Sequence, residues 1–209
     1  MNRPNAALTT AELSRLLQRA PAFPDPRAAA EQFPTPANLA AQILSLAFLR
    51  GDIDEKMVVD LGCGTGIFAV GAKLLGAKRV VGIDSDPASV RIARVWGEDL
   101  GLEIEWRTGD VSSIQSWFDT CVMNPPFGAQ RKGADRPFLE AALRNCRVGY
   151  SLHHAETAEF VRKYLVDRGA RLLDSRTFKI PLKYSQPYHR KPVKDVDTML
   201  IVFESPPAR

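Results

Sequence analysis

The stretch Val58-Val59-Asp60-Leu61-Gly62-Cys63-Gly64-Thr65-Gly66-Ile67-Phe68 decides the fold of this chain. An apolar run ends in an acidic residue and then breaks into alternating glycines, which let the backbone turn sharply and let a ligand approach it closely. An apolar helical stretch follows, and a second apolar run then ends in Asp84, about 20 residues after the glycine turn. This order of strand, turn, helix, strand and acid predicts a nucleoside-cofactor site in which Asp84 holds ribose hydroxyls.

Two classes of cofactor, dinucleotides and S-adenosylmethionine, could bind at such a turn. Dinucleotides favour Gly-x-Gly-x-x-Gly, in which backbone N–H groups face a pyrophosphate. Here the spacing is Gly-x-Gly-x-Gly, and Asp60 stands directly before Leu61 and the first glycine. A carboxylate there repels a pyrophosphate but suits the ammonium and sulfonium cations of S-adenosylmethionine. The stretch resembles the first motif of class I S-adenosylmethionine-dependent methyltransferases, so S-adenosyl-L-methionine is the expected cofactor.

Length and composition favour one domain. The chain has 209 residues, of which 45% are hydrophobic, enough for one full core. We expect residues 1–209 to form a single methyltransferase domain, with residues 1–50 as an N-terminal helical extension that covers the cofactor site. No apolar run reaches the length of a membrane span, the N-terminus lacks the apolar core of a signal peptide, and the three cysteines form no zinc or disulfide pattern. A cytoplasmic location is therefore expected.

Local signals predict the elements. Thr9-Thr10-Ala11-Glu12 has the form of a capping box and predicts a helix from about Thr10 to Arg19. Thr35 is expected to cap a second helix that begins at Pro36 and ends at Leu49. The periodicity predicts further helices at Phe68–Leu75, Pro87–Leu100 (capped by Asp86), Arg136–Asn145 and Ala155–Asp167, the last ended by Gly169. It predicts strands at Val58–Leu61, Val80–Ile83, Glu103–Arg107, Phe118–Met123, Val148–Leu152, Arg171–Ile180 and Thr198–Phe203.

Alternation of these elements predicts an α/β fold of the Rossmann-like class I methyltransferase type. The sheet is expected to be seven-stranded and mostly parallel, with helices on both faces and one antiparallel strand near the C-terminus. Ligands bind at the carboxyl ends of such strands, which places Gly62–Gly66, Asp84, Asp110 and Asn124–Phe127 along one rim. Asp110 could there accept a hydrogen from the adenine amino group of the cofactor.

The stretch Asn124-Pro125-Pro126-Phe127 indicates the reaction type. Its two prolines, directly after a strand, stiffen the chain and lead it out of the sheet. An exocyclic amine on a base is a poor nucleophile, since its lone pair is delocalised into the ring. The Asn124 side-chain oxygen and the Pro125 carbonyl could accept its hydrogens and release that lone pair, while Phe127 stacks on the ring. The tetrapeptide is shared by enzymes that methylate adenine N6 and by enzymes that methylate glutamine amides, so it predicts a planar nitrogen as acceptor.

Nearly the whole chain resembles the methyltransferase-like protein 5 family, which methylates adenine N6 in small-subunit ribosomal RNA. The shared stretches include Glu31-Gln32-Phe33-Pro34-Thr35, Asp60-Leu61-Gly62-Cys63-Gly64, Asn124-Pro125-Pro126-Phe127-Gly128, Gly133-Ala134-Asp135 and Tyr150-Ser151-Leu152-His153. The resemblance implies that Asn124, Pro125, Pro126 and Phe127 are the catalytic tetrad. It implies that the cofactor is contacted by Gln32, Thr35, Gly62, Thr65, Ile67, Asp84, Asp110 and Val111. Phe33, Asp60, Gly64 and Gly66, from these stretches and the glycine turn, are further candidates.

A basic, aromatic segment near the C-terminus supports a nucleic-acid substrate, since cations suit phosphates and aromatic rings suit unstacked bases. The candidate RNA-binding residues, here and just after the tetrad, are Arg131, Lys132, Arg136, Lys183, Tyr184, Tyr188, His189, Arg190 and Lys191. A solvated basic loop is the plainer alternative. The adjacent pair His153-His154 lacks further ligands, so we interpret it as packing or capping residues and expect no metal site.

The family resemblance also implies a partner, the small zinc-binding activator protein shared by several methyltransferases. The third strand, Glu103–Arg107, is expected at a sheet edge, where a partner could add a strand, although its charges could instead protect that edge. The predicted function is methylation of adenine N6 in small-subunit rRNA. DNA adenine or protein glutamine methylation, and a non-catalytic adaptor that binds RNA or cofactor, are the alternatives.

Overall fold

The fold was described from a computed structural model, which covers residues 8–22, 34–126, 133–182 and 194–207. Its helices are α1 (Thr10–Leu17), α2 (Ala37–Leu49), α3 (Ile67–Leu74), α4 (Pro87–Asp99), α5 (Arg136–Asn145) and α6 (Ala158–Val166). Its strands are β1 (Met57–Leu61), β2 (Arg79–Asp84), β3 (Glu105–Thr108), β4 (Phe118–Met123), β5 (Cys146–His154), β6 (Arg171–Leu182) and β7 (Lys194–Glu204). Short 3-10 turns lie at Val111–Ser113 and Ala155–Thr157.

The seven strands form one sheet in the order β3-β2-β1-β4-β5-β7-β6. Neighbours from β3 to β5 are parallel, whereas β7 runs antiparallel to both β5 and β6. The carboxyl ends of β1, β2 and β4 therefore meet at one edge, because Leu61 lies between Ile83 and Met123 in the register. The expected fold class, with one antiparallel strand near the C-terminus, is confirmed.

Alternating side chains of the strands build a core on each face of the sheet. Val58 of β1 points into the core shared with α1, α2, α3 and α4, whereas Val59 points into the core shared with α5 and α6. A strand with apolar residues on both faces must be covered on both sides, which explains the consecutive apolar residues Val58-Val59 in β1 and Cys121-Val122-Met123 in β4. None of the helices among the described residues combines the length and apolar character needed to cross a lipid bilayer.

Two predicted helix starts are confirmed. At α1 the Thr9 N–H donates to Glu12 Oε2 over 2.9 Å and the Glu12 N–H donates to Thr9 Oγ1 over 3.3 Å, which completes the capping box. At α4 the Ala88 N–H donates to Asp86 Oδ1 over 3.1 Å.

The predicted start of α2 is wrong. The helix begins at Ala37, and its N-cap residue is Pro36, whose side chain can accept no hydrogen bond. Thr35 does not cap the helix, because its hydroxyl accepts a hydrogen bond from Asn124 instead.

Other boundaries shift by a few residues. The segment expected as one helix over Ala155–Asp167 begins as a 3-10 turn before α6 starts at Ala158. The third strand begins at Glu105 rather than Glu103, and its Cα partners on β2 begin with Val81. The fifth strand is longer than predicted, Cys146–His154, because it pairs on one side with β4 and on the other with β7.

Candidate active site

A cavity of about 450 Å³ lies at the carboxyl ends of β1, β2 and β4. It is lined by Leu17, Gln18, Ala20, Pro21, Ala22, Pro34, Thr35, Ala37, Gly62, Cys63, Gly64, Thr65, Ile67, Phe68, Asp84, Ser85, Asn124, Pro126 and Phe138. The structure thus brings six of the expected cofactor residues together with two of the tetrad: Thr35, Gly62, Gly64, Thr65, Ile67 and Asp84, with Asn124 and Pro126.

The glycine turn needs glycine at both ends for steric reasons. Gly62 has φ of +72°, and a Cβ placed on it would lie 2.7 Å from the ring of Phe138. Gly66, the N-cap of α3, has φ of +93°, and its Cβ would lie 2.7 Å from the ring of Trp106. The rings of Phe138 and Trp106 thus pack directly against the two ends of the turn, and neither end has room for a side chain.

Asp84 is held by the backbone on both of its oxygens. The Gly64 N–H donates to Asp84 Oδ2 over 2.8 Å, and the Asp86 N–H donates to Asp84 Oδ1 over 2.9 Å. Burial raises the pKa of this carboxyl, and the two backbone hydrogen bonds act in the opposite direction. Each carboxylate oxygen has a second lone pair, so the oriented group can still accept hydroxyl hydrogens from a ligand in the cavity.

Asp60 is buried behind the turn and does not line the cavity. Its Oδ2 accepts a hydrogen bond from the Ala69 N–H over 3.0 Å, so the carboxyl faces the first turns of α3. Burial, together with the charge of Asp84, raises the pKa of Asp60 to about 8. A cation bound nearby would favour its ionised form.

Asn124 is oriented by a residue distant in sequence. Its Nδ2 donates to Thr35 Oγ1 over 3.0 Å, a contact between residues separated by 89 positions. Because the amide nitrogen is turned to Thr35, the other amide atom, the acceptor Oδ1, is turned away from it. Within the glycine turn, Thr65 Oγ1 donates to the Pro21 carbonyl over 2.8 Å, which ties the turn to the segment that follows α1.

Several expected cofactor residues lie elsewhere. Asp110 is exposed, and its Oδ1 accepts hydrogen bonds from the Ser112 N–H at 2.8 Å and from the Ser112 hydroxyl at 2.6 Å, which lowers its pKa. Val111 is buried in the core on the α5 and α6 face. Neither residue, nor Gly66 or Pro125, is part of the cavity lining. In this structure Asp110 acts as the cap of a 3-10 turn, not as an acceptor that faces the cavity.

A further set of candidates lies outside the described residues: Gln32, Phe33, Phe127, Arg131, Lys132, Lys183, Tyr184, Tyr188, His189, Arg190 and Lys191. Arg136 is described and is the exposed first residue of α5.

The two adjacent histidines have the packing and capping roles expected of them. His153 is buried, with Nε2 at 2.6 Å from Ser151 Oγ and Nδ1 at 3.5 Å from Asp135 Oδ2. This polar chain joins β5 to Asp135, the N-cap of α5. The Glu156 N–H donates to His154 Nδ1 over 3.3 Å at the start of a 3-10 turn.

The sequence indicated that residues 1–50 cover the site but not which of them line it, and the structure shows that Leu17, Gln18 and Pro21 do. No motif in the sequence singles out Phe138, although its ring packs against the glycine turn and lines the cavity. The local signal at Pro21 is the proline itself, because a proline there prevents α1 from continuing.

Comparison with known proteins agrees with this geometry. The chain matches the family described as methyltransferase small domain over residues 38–152, which is more than half of its length. A glycine turn, an acid on the next strand and an Asn-Pro-Pro stretch around one cavity on this sheet define a class I methyltransferase.

Individual relatives identify the family within this class. The rRNA N6-adenosine methyltransferase of Drosophila melanogaster is 34% identical over 210 residues, covering 95% of this chain and 98% of that protein. The enzyme of the same description from Danio rerio is 34% identical, covering 92% and 97%. The crystal structure of a proposed RNA methyltransferase from Pyrococcus horikoshii superposes with a TM-score of 0.88 at 36% identity, covering 95% and 98%. The chain therefore belongs to the methyltransferase-like protein 5 family of rRNA adenine-N6 methyltransferases.

The Thr35–Asn124 hydrogen bond leads to a first prediction. Thr35→Val keeps the side-chain shape but removes the acceptor, so the amide of Asn124 loses its orientation and kcat for methyl transfer should fall about tenfold or more. The Kd of S-adenosylmethionine, measured by calorimetry, should stay within about twofold. Thr35→Ser, which retains the hydroxyl, is the matched control and should restore most of kcat. A weakened cofactor Kd with unchanged kcat would instead make Thr35 a cofactor ligand, as the family resemblance implies.

The raised pKa of Asp60 leads to a second prediction. An acid with a higher pKa in the folded than in the unfolded protein binds more protons when folded, so its contribution to stability falls as pH rises from about 4 towards 8. Without cofactor, Asp60→Asn should therefore flatten the decline of Tm with pH and raise Tm at pH 8 by about 2–4 °C, equivalent to about 1 kcal/mol. Melting curves between pH 5 and pH 9 measure this. Asp99→Asn, at the exposed end of α4, should leave the wild-type slope; an equal slope for Asp60→Asn would contradict the prediction.

Proposed function

We propose that this protein transfers a methyl group from S-adenosylmethionine to N6 of an adenine in small-subunit ribosomal RNA. The observation that carries the proposal is the position of Asn124 and Pro126 in the same cavity as the glycine turn and Asp84. One cavity thus combines groups suited to a nucleoside cofactor with an amide suited to an exocyclic amine.

The residues present fit the cofactor. Asp84 offers oriented acceptors to ribose hydroxyls. Its carboxylate, and that of Asp60 once a nearby cation favours the ionised form, would supply negative charge that suits a cation. The turn with Gly62 and Gly64 allows close approach to the backbone. When bound, S-adenosylmethionine supplies an electrophilic methyl group on a positively charged sulfur.

The chain's own residues would activate the acceptor. Asn124 Oδ1 and the Pro125 carbonyl accept the two hydrogens of the adenine amine, which draws the nitrogen lone pair out of conjugation with the ring. Two prolines hold these acceptors in one geometry, because their φ angles are fixed. Most of the rate enhancement would then come from positioning and from pre-oriented dipoles.

The assignment to rRNA rests on the family. The tetrad alone allows a DNA adenine or a protein glutamine as acceptor. The similarity over nearly the whole chain, at 34% identity, to enzymes described as rRNA N6-adenosine methyltransferases favours RNA. A non-catalytic adaptor is disfavoured, because it would have no need for Asp84 and Asn124 in the same cavity.

We also propose that residues 1–50 cover the bound cofactor. Pro21 and Thr35 flank residues 23–33, which lie outside the described residues, and both are bonded to the site: Pro21 to Thr65 and Thr35 to Asn124. A cover of this kind would keep water from the transferred methyl group.

The expected activity gives a third prediction. Asn124→Ala should lower methyl transfer at least about 100-fold and leave the cofactor Kd within about twofold, because the amide acts on the acceptor. Asp84→Asn should show the opposite pattern, with the Kd weakened about tenfold or more, because a charge-assisted hydrogen bond contributes about 1.5–3 kcal/mol.

The measurement uses labelled S-adenosylmethionine with unmodified small-subunit rRNA, DNA and protein extract as acceptors, and mass spectrometry to identify the product. N6-methyladenosine at one rRNA position supports the proposal. Label in DNA or in protein only would overturn the rRNA assignment while keeping the chemistry of Asn124.

A small zinc-binding activator protein is the proposed partner, and its proposed docking site is the edge strand β3. Among the described residues β3 pairs only with β2, and its buried Trp106 anchors it to the core. The Gly109 N–H bonds to the Asp84 carbonyl, so by alternation the N–H groups of Trp106 and Thr108 face away from β2. The carboxylate of Glu105 is engaged by Arg79 and Arg107, which lowers its pKa and reduces the charge presented at this edge.

Thr108→Pro removes one outward N–H and is our fourth prediction. It should abolish co-purification of the activator protein while cofactor affinity and Tm remain close to those of the wild type. Thr108→Val retains the N–H and should co-purify normally. If Thr108→Pro still co-purifies at wild-type yield, the activator protein docks elsewhere.

A further inference from the structure

An aromatic side chain stands exposed on α6 beside an arginine of α5. Phe160 is 49% exposed, which is unusual for a ring of this size, and the guanidinium carbon of Arg136 lies 5.4 Å from its ring centroid. The ring of Tyr164, one helical turn further along α6, lies 6.1 Å from Phe160, and its centroid is 6.0 Å from the same guanidinium. Arg136 and the two rings thus form one continuous surface, the α5–α6 patch.

The α5–α6 patch begins at the catalytic end of the sheet. Arg136 follows closely on residues 127–132, which continue from Asn124-Pro125-Pro126. Helix α6 follows the carboxyl end of β5, where Ser151 pairs with Met123 of β4, the residue before Asn124. A strand of nucleic acid with its target base in the cavity would therefore pass close to this patch.

The charges around the patch favour an anionic ligand. No ion pair to Arg136 occurs within the ranges that the structure describes, whereas the nearby acids are engaged by other side chains. Glu159 lies 3.9 Å from Arg162, and Glu156 lies 3.8 Å from the ring of His154. Arg136 thus presents, beside an open aromatic face, a positive charge that no carboxylate among the described residues pairs with.

The Tyr164 ring, at one side of the α5–α6 patch, is held in a fixed orientation by its neighbours. Its hydroxyl donates to Glu140 over 2.5 Å, and Arg168 binds the same carboxylate over 2.9 Å while its guanidinium carbon lies 3.5 Å from the Tyr164 ring centroid. Tyr164 is thereby held in place, whereas Phe160 is the solvent-exposed ring of the pair. A preorganised wall lowers the entropy cost of binding a flat ligand against it.

We propose that Arg136 and Phe160 bind a nucleotide of single-stranded RNA next to the target adenine, an inference that rests on the proposed function. The base stacks on the open face of Phe160, and the phosphate binds the guanidinium of Arg136. Unstacked bases on aromatic rings, with cations on the backbone, are the usual means of recognising single-stranded RNA. A protein partner would instead favour a broader apolar surface around Phe160, which the exposed charges of α6 do not provide.

The test measures binding of a fluorescent oligoadenylate of about 12 nucleotides to the cofactor-saturated protein by anisotropy. Phe160→Ala should weaken binding about tenfold, and Phe160→Tyr, which keeps a stacking ring, should bind like the wild type. Arg136→Ala should also weaken binding and should lower the slope of log Kd against log salt by about 0.7, the loss of one phosphate contact on a single strand. Arg91→Ala, an exposed arginine of α4 on the opposite face, is the charge-matched control and should change neither.

Phe160→Leu distinguishes the two kinds of partner. Loss of RNA binding with leucine supports stacking, because leucine keeps the apolar surface but not the ring. Wild-type RNA binding by Phe160→Leu and Phe160→Ala, or no oligoadenylate binding by the wild type, would overturn the inference and leave protein docking as the role of the patch. If the wild type still forms N6-methyladenosine in rRNA in that case, the inference alone fails; if it methylates no RNA, the proposed function fails.

Discussion

The hydrogen bond from the Gly64 N–H to the carboxylate of Asp84 is the constraint on which the site depends. It joins the turn after β1 to the end of β2, and the N–H groups of Gly62 and Cys63 reinforce it by donating to the Ile83 carbonyl at 2.8 and 3.0 Å. This arrangement places the carboxyl groups of Asp60 and Asp84 close together and away from solvent, which is electrostatically unfavourable. Burial accordingly raises the pKa of both groups. A bound cation would relieve this electrostatic cost, which links the stability of the turn to the ligand it is built for.

The N-terminal segments connect the two halves of the cavity. Pro21 accepts a hydrogen bond from Thr65 of the glycine turn, and Thr35 accepts one from Asn124 after β4. Both contacts come from the first fifty residues, so the glycine turn and Asn124 are each hydrogen-bonded to the N-terminal part of the chain.

The two faces of the sheet contribute differently to the proposed reaction. Helices α1 to α4 share one core, and the ends of α1, α2 and α3 line the cavity with the glycine turn. Helices α5 and α6 share the other core, deliver Phe138 to the cavity and expose Arg136 and Phe160. The edge strand β3 lies apart from both surfaces, so an activator protein could bind there while RNA approaches the cavity.

The sequence by itself determined what depends on neighbouring residues or on strand order. The glycine turn, the acid at the end of β2, the caps at Thr9 and Asp86 and the edge position of the third strand were all predictable, because each follows from local backbone chemistry or from the alternation of strands and helices. Only the tertiary structure decided the partners of side chains: Thr35 orients Asn124 instead of capping α2, Asp110 binds Ser112, and Arg136 lies over Phe160. A hydrogen bond across 89 residues depends on where two elements pack, and no local pattern encodes that distance.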